Sequence, residues 1–189
     1  MLADLIATDG VEERLVLGGP IGLMALHGGL EAGTHRVAGA VAEATGSSLY
    51  AIVQPDDHRW HVPSARHDPR DSERLTRFLE HVRLAVSIHG FGRRHLPDTV
   101  LVGGRNRRVA RHIASAIRRH TDLDVIDEPA AMPRGLRGMH PANPVNLPES
   151  QGVQLELSRG ARRDPVVGSL VAAVASVVAA ESGSVCATA

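Results

Sequence analysis

Ile21-Gly-Leu-Met-Ala-Leu-His27-Gly-Gly-Leu-Glu31 is the stretch that decides the fold. From Ile21 to Leu26 it is a short apolar run of the kind a buried strand uses. The run stops at a histidine, two glycines and a carboxylate. A strand that ends this way places ligand-type side chains at the carboxyl edge of a sheet, where open α/β sheets bind their ligands. A second apolar run, Leu84-Ala-Val-Ser-Ile-His89-Gly90, ends in the same manner. Two strand-terminal histidines and a nearby glutamate make up the three protein ligands of an open zinc site.

Working outward, the chain alternates between strand and helix. Apolar runs at 48–53, 84–88, 99–102, 123–126 and 152–157 predict strands, with a short strand or turn at 15–17. Between them, 34–46, 71–82 and 105–120 predict helices; the first has Thr34 as its cap and Gly46 as its stop. Asp164-Pro165 opens a further helix over the apolar segment 166–180, read as packed on the sheet and too short to span a bilayer. This rhythm predicts an α/β fold: one domain over 1–181, its mostly parallel or mixed sheet flanked by helices, with 182–189 a disordered tail. Two loops, 54–70 and 128–150, are longer than connections usually are, and such loops are often functional.

Composition narrows the function classes. The 189 residues carry no net charge, and only 2% are aromatic. Both features argue against nucleic acid as a partner, and no strong field favours an anionic membrane. Every basic residue other than histidine is arginine. Arginine suits carboxylate recognition, although its exclusive use reads as coding bias. The single cysteine, Cys186, allows neither a disulfide framework nor a thiolate cluster. Residues 1–20 show no secretory signal, so a cytoplasmic protein is expected, and a monomer.

The last strand, Val153-Gln-Leu-Glu-Leu-Ser158, places Glu156 in an apolar setting near its end. A buried glutamate is costly unless compensated. Beside a metal it is compensated, and it can take a proton from bound water. Arg159, Arg162 and Arg163 follow at once and are suited to bidentate grip on a carboxylate. Gly103-Gly104 reads equally as a plain turn or, with Asn106 and the helix start behind it, as an anion site. His58, His61 and His67 read as loop surface.

The stretch Ala25 to Thr34 resembles the metal motif of the poly-γ-glutamate hydrolase family, small zinc amidases of bacteriophages and bacteria. Four other segments agree in order: His61-Val-Pro-Ser64 leading to Asp68-Pro69, Ser87-Ile-His-Gly90, Val102-Gly-Gly-Arg-Asn106, and Asn143-Pro-Val-Asn146 followed by Gly152 to Gly160. The resemblance implies a zinc carboxypeptidase-like fold and one Zn2+ held by His27, Glu31 and His89. It implies Glu156 as general base, with zinc-bound water as nucleophile on γ-glutamyl amides of an acidic polymer or small acidic amide. Arg163, or else Arg159, is expected to hold a substrate carboxylate, with Asn106 as a further substrate-binding residue. The family pattern has one more glycine between histidine and glutamate, as His-Gly-Gly-Gly-Ile-Glu; this chain is one residue shorter. The alternatives are a carboxypeptidase-like amidase with a different substrate, and a non-catalytic phage or host accessory protein on the same fold.

Overall fold

The computed structural model describes residues 1–186, with side chains described through Gly183; 187–189 lie outside the described residues. Seven strands form one sheet: β1 (Glu12–Val16), β2 (Gly19–Gly28), β3 (Ser47–Val53), β4 (Leu84–Gly90), β5 (Thr99–Gly103), β6 (Asp124–Ile126) and β7 (Gly152–Leu157). Their order is β1-β3-β2-β4-β7-β5-β6. Pairing is parallel except at β1/β3 and β5/β7, so the sheet is mixed. Five helices accompany it: α1 (Leu2–Ile6), α2 (Thr34–Thr45), α3 (Glu73–His81), α4 (Arg107–His120) and α5 (Asp164–Cys186).

Strand alternation sorts the core into two layers. Leu23, Ala25, Val86, Ile88, Val153 and Leu155 face α2, α4 and α5. Met24, Leu26, Tyr50 and Ile52 face α1, α3 and the long loops, meeting Leu75, Phe78 and Val145. Gly22 clears space in the second layer, since a Cβ there would stand 2.2 Å from the Phe78 ring. Each of these fully buried large side chains contributes roughly 1.5–3 kcal/mol relative to exposure.

The same alternation sets the chemistry of β4 and β7. Val86/Ile88 and Val153/Leu155/Leu157 enter the helix-packed layer. Ser87, His89, Gln154 and Glu156 therefore share the opposite face, buried but polar. By alternation alone His27 would follow Leu23 and Ala25. An irregularity in the β2/β3 pairing between Ala25 and Gly28 re-aims it, and its ring meets Val62 and His89 instead.

Several expectations change. The N-terminal strand spans 12–16, and α1 precedes it unannounced. Helix α5 runs to Cys186, so 182–186 are helical where a disordered tail was expected. With that length, Asp164–Gly183 is apolar and long enough to cross a membrane by length and composition, unlike the shorter segment read from sequence. In the fold one side of α5 packs on α2, α4 and β2, burying Leu170, Ala173, Val174 and Val178.

Candidate metal centre and active site

His27 ends β2 and His89 lies at the end of β4; both are 2% exposed. Glu31 follows on the turn after β2. That turn is closed tightly: the Glu31 amide donates to the His27 carbonyl at 2.8 Å, and the Thr34 hydroxyl donates to the Glu31 carbonyl at 2.8 Å. Gly29 makes the turn possible. Its φ is +80°, and a Cβ would stand 2.0 Å from the Gln54 carbonyl oxygen. The shortened histidine-to-glutamate spacing thus still delivers the carboxylate.

The three side chains converge. His27 Nδ1 lies 3.0 Å from Glu31 Oε1 and 3.1 Å from His89 Nδ1, and Glu31 Oε2 lies 3.6 Å from His89 Nδ1. The outer nitrogens are already engaged. His27 Nε2 donates to the Val62 carbonyl at 2.8 Å, which fixes its tautomer and leaves Nδ1 with a lone pair. His89 Nε2 bonds Ser87 Oγ at 2.8 Å, and Glu31 Oε2 accepts from the Gly90 amide at 2.8 Å. Electron pairs and a carboxylate therefore face one another across a space in which one candidate ligand atom from each residue lies within 4.8 Å of the others. Such a cluster calls for a cation. Donors about 2 Å from one ion fit these separations, and two imidazoles with a carboxylate suit zinc. Burial alone would raise the Glu31 carboxyl, but the adjacent His27 and His89 hold it below the usual carboxylate range.

Glu156 sits beside His89 in the β4/β7 register and is 4% exposed. It takes no part in the three-residue cluster. A relay of amides orients it. Asn143 Nδ2 donates to Gln154 Oε1 at 2.8 Å, and Gln154 Nε2 donates to Glu156 Oε1 at 2.8 Å. Burial and the neighbouring Glu31 charge push its carboxyl well above the usual range, while Gln154 and Arg162 pull the other way. The four residues open onto a cavity of about 480 Å³ whose far wall is the loop around Arg134 to Asn143.

The arginines divide differently from expectation. Arg162, not Arg163, turns inward: Nε donates to the Ser158 carbonyl at 3.2 Å and Nη1 to the Ala32 carbonyl at 2.7 Å, with Glu31 and Glu156 among the charges it feels. Gly90 leaves room for it, because a Cβ there would stand 2.8 Å from the guanidinium carbon. Arg163 is exposed and paired with Asp98 at 2.7 Å, away from the cluster. Arg159 lines the cavity next to Glu31. Asn106 is a helix cap: its Oδ1 accepts from the Val109 amide and its Nδ2 donates to the Ser150 carbonyl. The loop histidines are likewise not all surface. His61 lines the cavity with its ring centre 4.6 Å from that of His27. His67 is fully buried behind His27, its imidazole pulled down to about 3 first by burial.

A family model described as poly-gamma-glutamate hydrolase matches residues 10–166. The chain belongs to the poly-γ-glutamate hydrolase family. Solved structures agree on the fold. A bacteriophage poly-γ-glutamate hydrolase matches with a TM-score of 0.78 at 24% identity, over 92% of this chain and 90% of that one. The zinc-free apo form of YNDL matches with a TM-score of 0.74 at 17% identity, over 89% of each chain. A putative carboxypeptidase from Burkholderia mallei matches at 0.59 and 10% identity, over 97% of this chain and 66% of that one. No curated protein sequence matches the chain significantly.

Proposed function

We propose that this member of the poly-γ-glutamate hydrolase family is a zinc-dependent amide hydrolase acting on γ-glutamyl bonds of an acidic polymer. The observation that carries the reading is the His27–Glu31–His89 cluster, whose inner atoms are free for a cation, with a buried, unligated Glu156 beside it. Zinc held there supplies Lewis-acid polarisation of the scissile carbonyl and makes water a usable nucleophile near neutral pH.

The rest belongs to the protein. Gln154 occupies Glu156 Oε1, so Oε2 is the oxygen free to take the proton of the attacking water. As the carbon–nitrogen bond breaks, that proton passes to the leaving amine. Burial first and the Glu31 charge second raise Glu156, while Gln154 and Arg162 draw it back toward the range where it can accept a proton. Arg162, tethered at two carbonyls, keeps a planar donor fork beside the site and is suited to the free α-carboxylate of a bound glutamyl unit.

The test is hydrolysis of poly-γ-glutamate by zinc-loaded protein, followed by product sizing. Glu156→Gln is expected to keep the zinc and lose ~10²–10⁴-fold in kcat. A loss below tenfold, or loss of zinc, removes Glu156 from this role. Equal, salt-indifferent activity on a neutral peptide amide would point to an amidase with a different substrate.

A further inference from the structure

The net charge of the chain is zero, yet positive charge is not spread evenly. A second cavity of about 500 Å³ adjoins the metal cluster, sharing Glu31 and Gly90 with it, and is walled by Arg36, Arg159 and Arg162. A third, of about 650 Å³, continues from Gly92 and Arg159 and is walled by Arg93, Arg94 and Arg163. The three cavities share residues in sequence, so they form one groove leading away from the cluster. Six guanidiniums line it. The carboxylates near them among the described residues are Glu31 and Glu156, which belong to the site itself, and Asp98, which pairs with Arg163.

Arg36, Arg93, Arg94 and Arg159 form no ion pair or side-chain hydrogen bond among the described residues. Elsewhere on the surface Arg14 pairs with Glu12, Arg70 with Asp68, Arg108 with Glu181 and Arg118 with Asp127, while Arg66, Arg77 and Arg111 form no ion pair among the described residues; what sets the groove apart is that four unpaired guanidiniums line adjoining cavities. Gly90 and Gly92 floor the groove and leave the guanidiniums room, the Arg159 Nε standing 3.9 Å from where a Gly92 Cβ would be. Clustered, unmatched cations repel one another and are retained where an anion supplies the missing charge.

We infer that this arginine groove is an extended subsite for a polycarboxylate chain, holding several units of the polymer on one side of the scissile bond while the metal cluster holds the reacting amide. The inference rests on the hydrolase reading above for the identity of the polymer. A carboxylate polymer fits better than nucleic acid, because Phe91 in the middle cavity is buried and the outer, arginine-walled cavity has no aromatic lining residue, so neither offers an open stacking face. The outer arginines set how long a chain the protein grips, and Arg162 sets where the chain is cut.

Binding of long poly-γ-glutamate, of γ-diglutamate and of a single-stranded oligonucleotide of equal charge is measured with Glu156→Gln protein, with and without Arg93→Gln/Arg94→Gln. Arg77→Gln/Arg111→Gln, two exposed arginines outside the groove, is the charge-matched control. The groove double variant is expected to weaken long-polymer binding by about two- to thirtyfold, the worth of two exposed ion pairs. It should flatten the salt dependence and leave γ-diglutamate unchanged. Equal loss in the control, no loss in the groove variant, or tighter binding of the oligonucleotide through Arg93 and Arg94 overturns the inference. Hydrolysis by zinc-loaded wild type is assayed in parallel. Polymer held through Arg93 and Arg94 but never cut would sink the hydrolase reading and leave the groove standing. Polymer cut equally well by Arg93→Gln/Arg94→Gln, with unchanged affinity, would do the reverse.

Discussion

At the residue scale, the cluster works because His27 and His89 are held by their far nitrogens, Nε2 to the Val62 carbonyl and Nε2 to Ser87, so that both Nδ1 atoms face inward. His89→Ala is expected to lose stoichiometric zinc while remaining folded, read by metal analysis beside circular dichroism; unchanged zinc would exclude His89 as a ligand. The Asn143–Gln154–Glu156 relay predicts a different phenotype. Asn143→Ala leaves the buried Gln154 carbonyl oxygen without its donor, a cost of about 1–3 kcal/mol. It should lower kcat about tenfold or more while zinc content and KM hold, because it moves the base and not the ligands. These roles were unevenly legible. His27, His89 and Glu156 stand at or near strand ends and Glu31 on the turn after one, which points to one edge of the sheet, although the irregularity that turns His27 toward His89 is not readable from periodicity. Arg162 and Arg163 are adjacent in sequence, and the single helical turn Gly160–Arg162 decides which points inward. Asn143 and Gln154 are ordinary polar residues until burial shows that each needs the other.

At the scale of elements, the end of β2 is where turn chemistry and metal geometry meet. Gly29→Val imposes a left-handed φ on a β-branched residue and drives Cβ into the Gln54 carbonyl. It should cost about 1–3 kcal/mol from strain alone and take the metal with it, measured by thermal unfolding and zinc content. Normal zinc in that variant would mean the turn is incidental. Helices α4 and α5 are joined by Arg108, which forks onto both oxygens of Glu181 at 2.8 and 2.6 Å, with His112 3.2 Å from Oε1. The Arg108 hydrogen bonds hold the Glu181 carboxyl below its usual range. Its folded value being the lower one, the stabilisation is complete above the unfolded value of about 4.3 and disappears as pH falls through the folded value. Because Arg108 is largely exposed, Glu181→Gln should cost only about 0.5 kcal/mol at pH 7, and the gap to wild type should close in acid. The elements themselves were mostly readable, since β2, β4 and β7 are apolar runs and α4 is capped by Asn106. The length of α5 was not: after Ala180 the small and polar residues show no apolar periodicity that separates helix from tail.

At the scale of the whole molecule, the mostly parallel or mixed sheet expected is a mixed one, because β7 runs antiparallel to β5 while parallel to β4, and β1 runs antiparallel to β3. Strand pattern reports burial, not direction, so the two antiparallel pairs could not be read from sequence. Leu155, buried on the helix-packed side of β7, anchors this junction; Leu155→Ala should cost about 2–5 kcal/mol by leaving a cavity, seen as a lowered Tm. The position of β7 has a further consequence, for the order in which the protein assembles. The candidate metal ligands lie within the first 89 residues, but the strand that carries Glu156 is the last of the sheet and is inserted between two strands made much earlier. Until it arrives, β4 and β5 each present an open edge, the geometry that invites pairing with another chain. Closure across so many intervening residues is slow. A chain stopped at residue 150 should therefore aggregate, and refolding of the full chain should show its hydrophobic-dye binding lost only when β7 is seated. The proposed base and protection from misassembly arrive with the same six residues, so a partly assembled chain has the candidate metal ligands and lacks the residue proposed to use them.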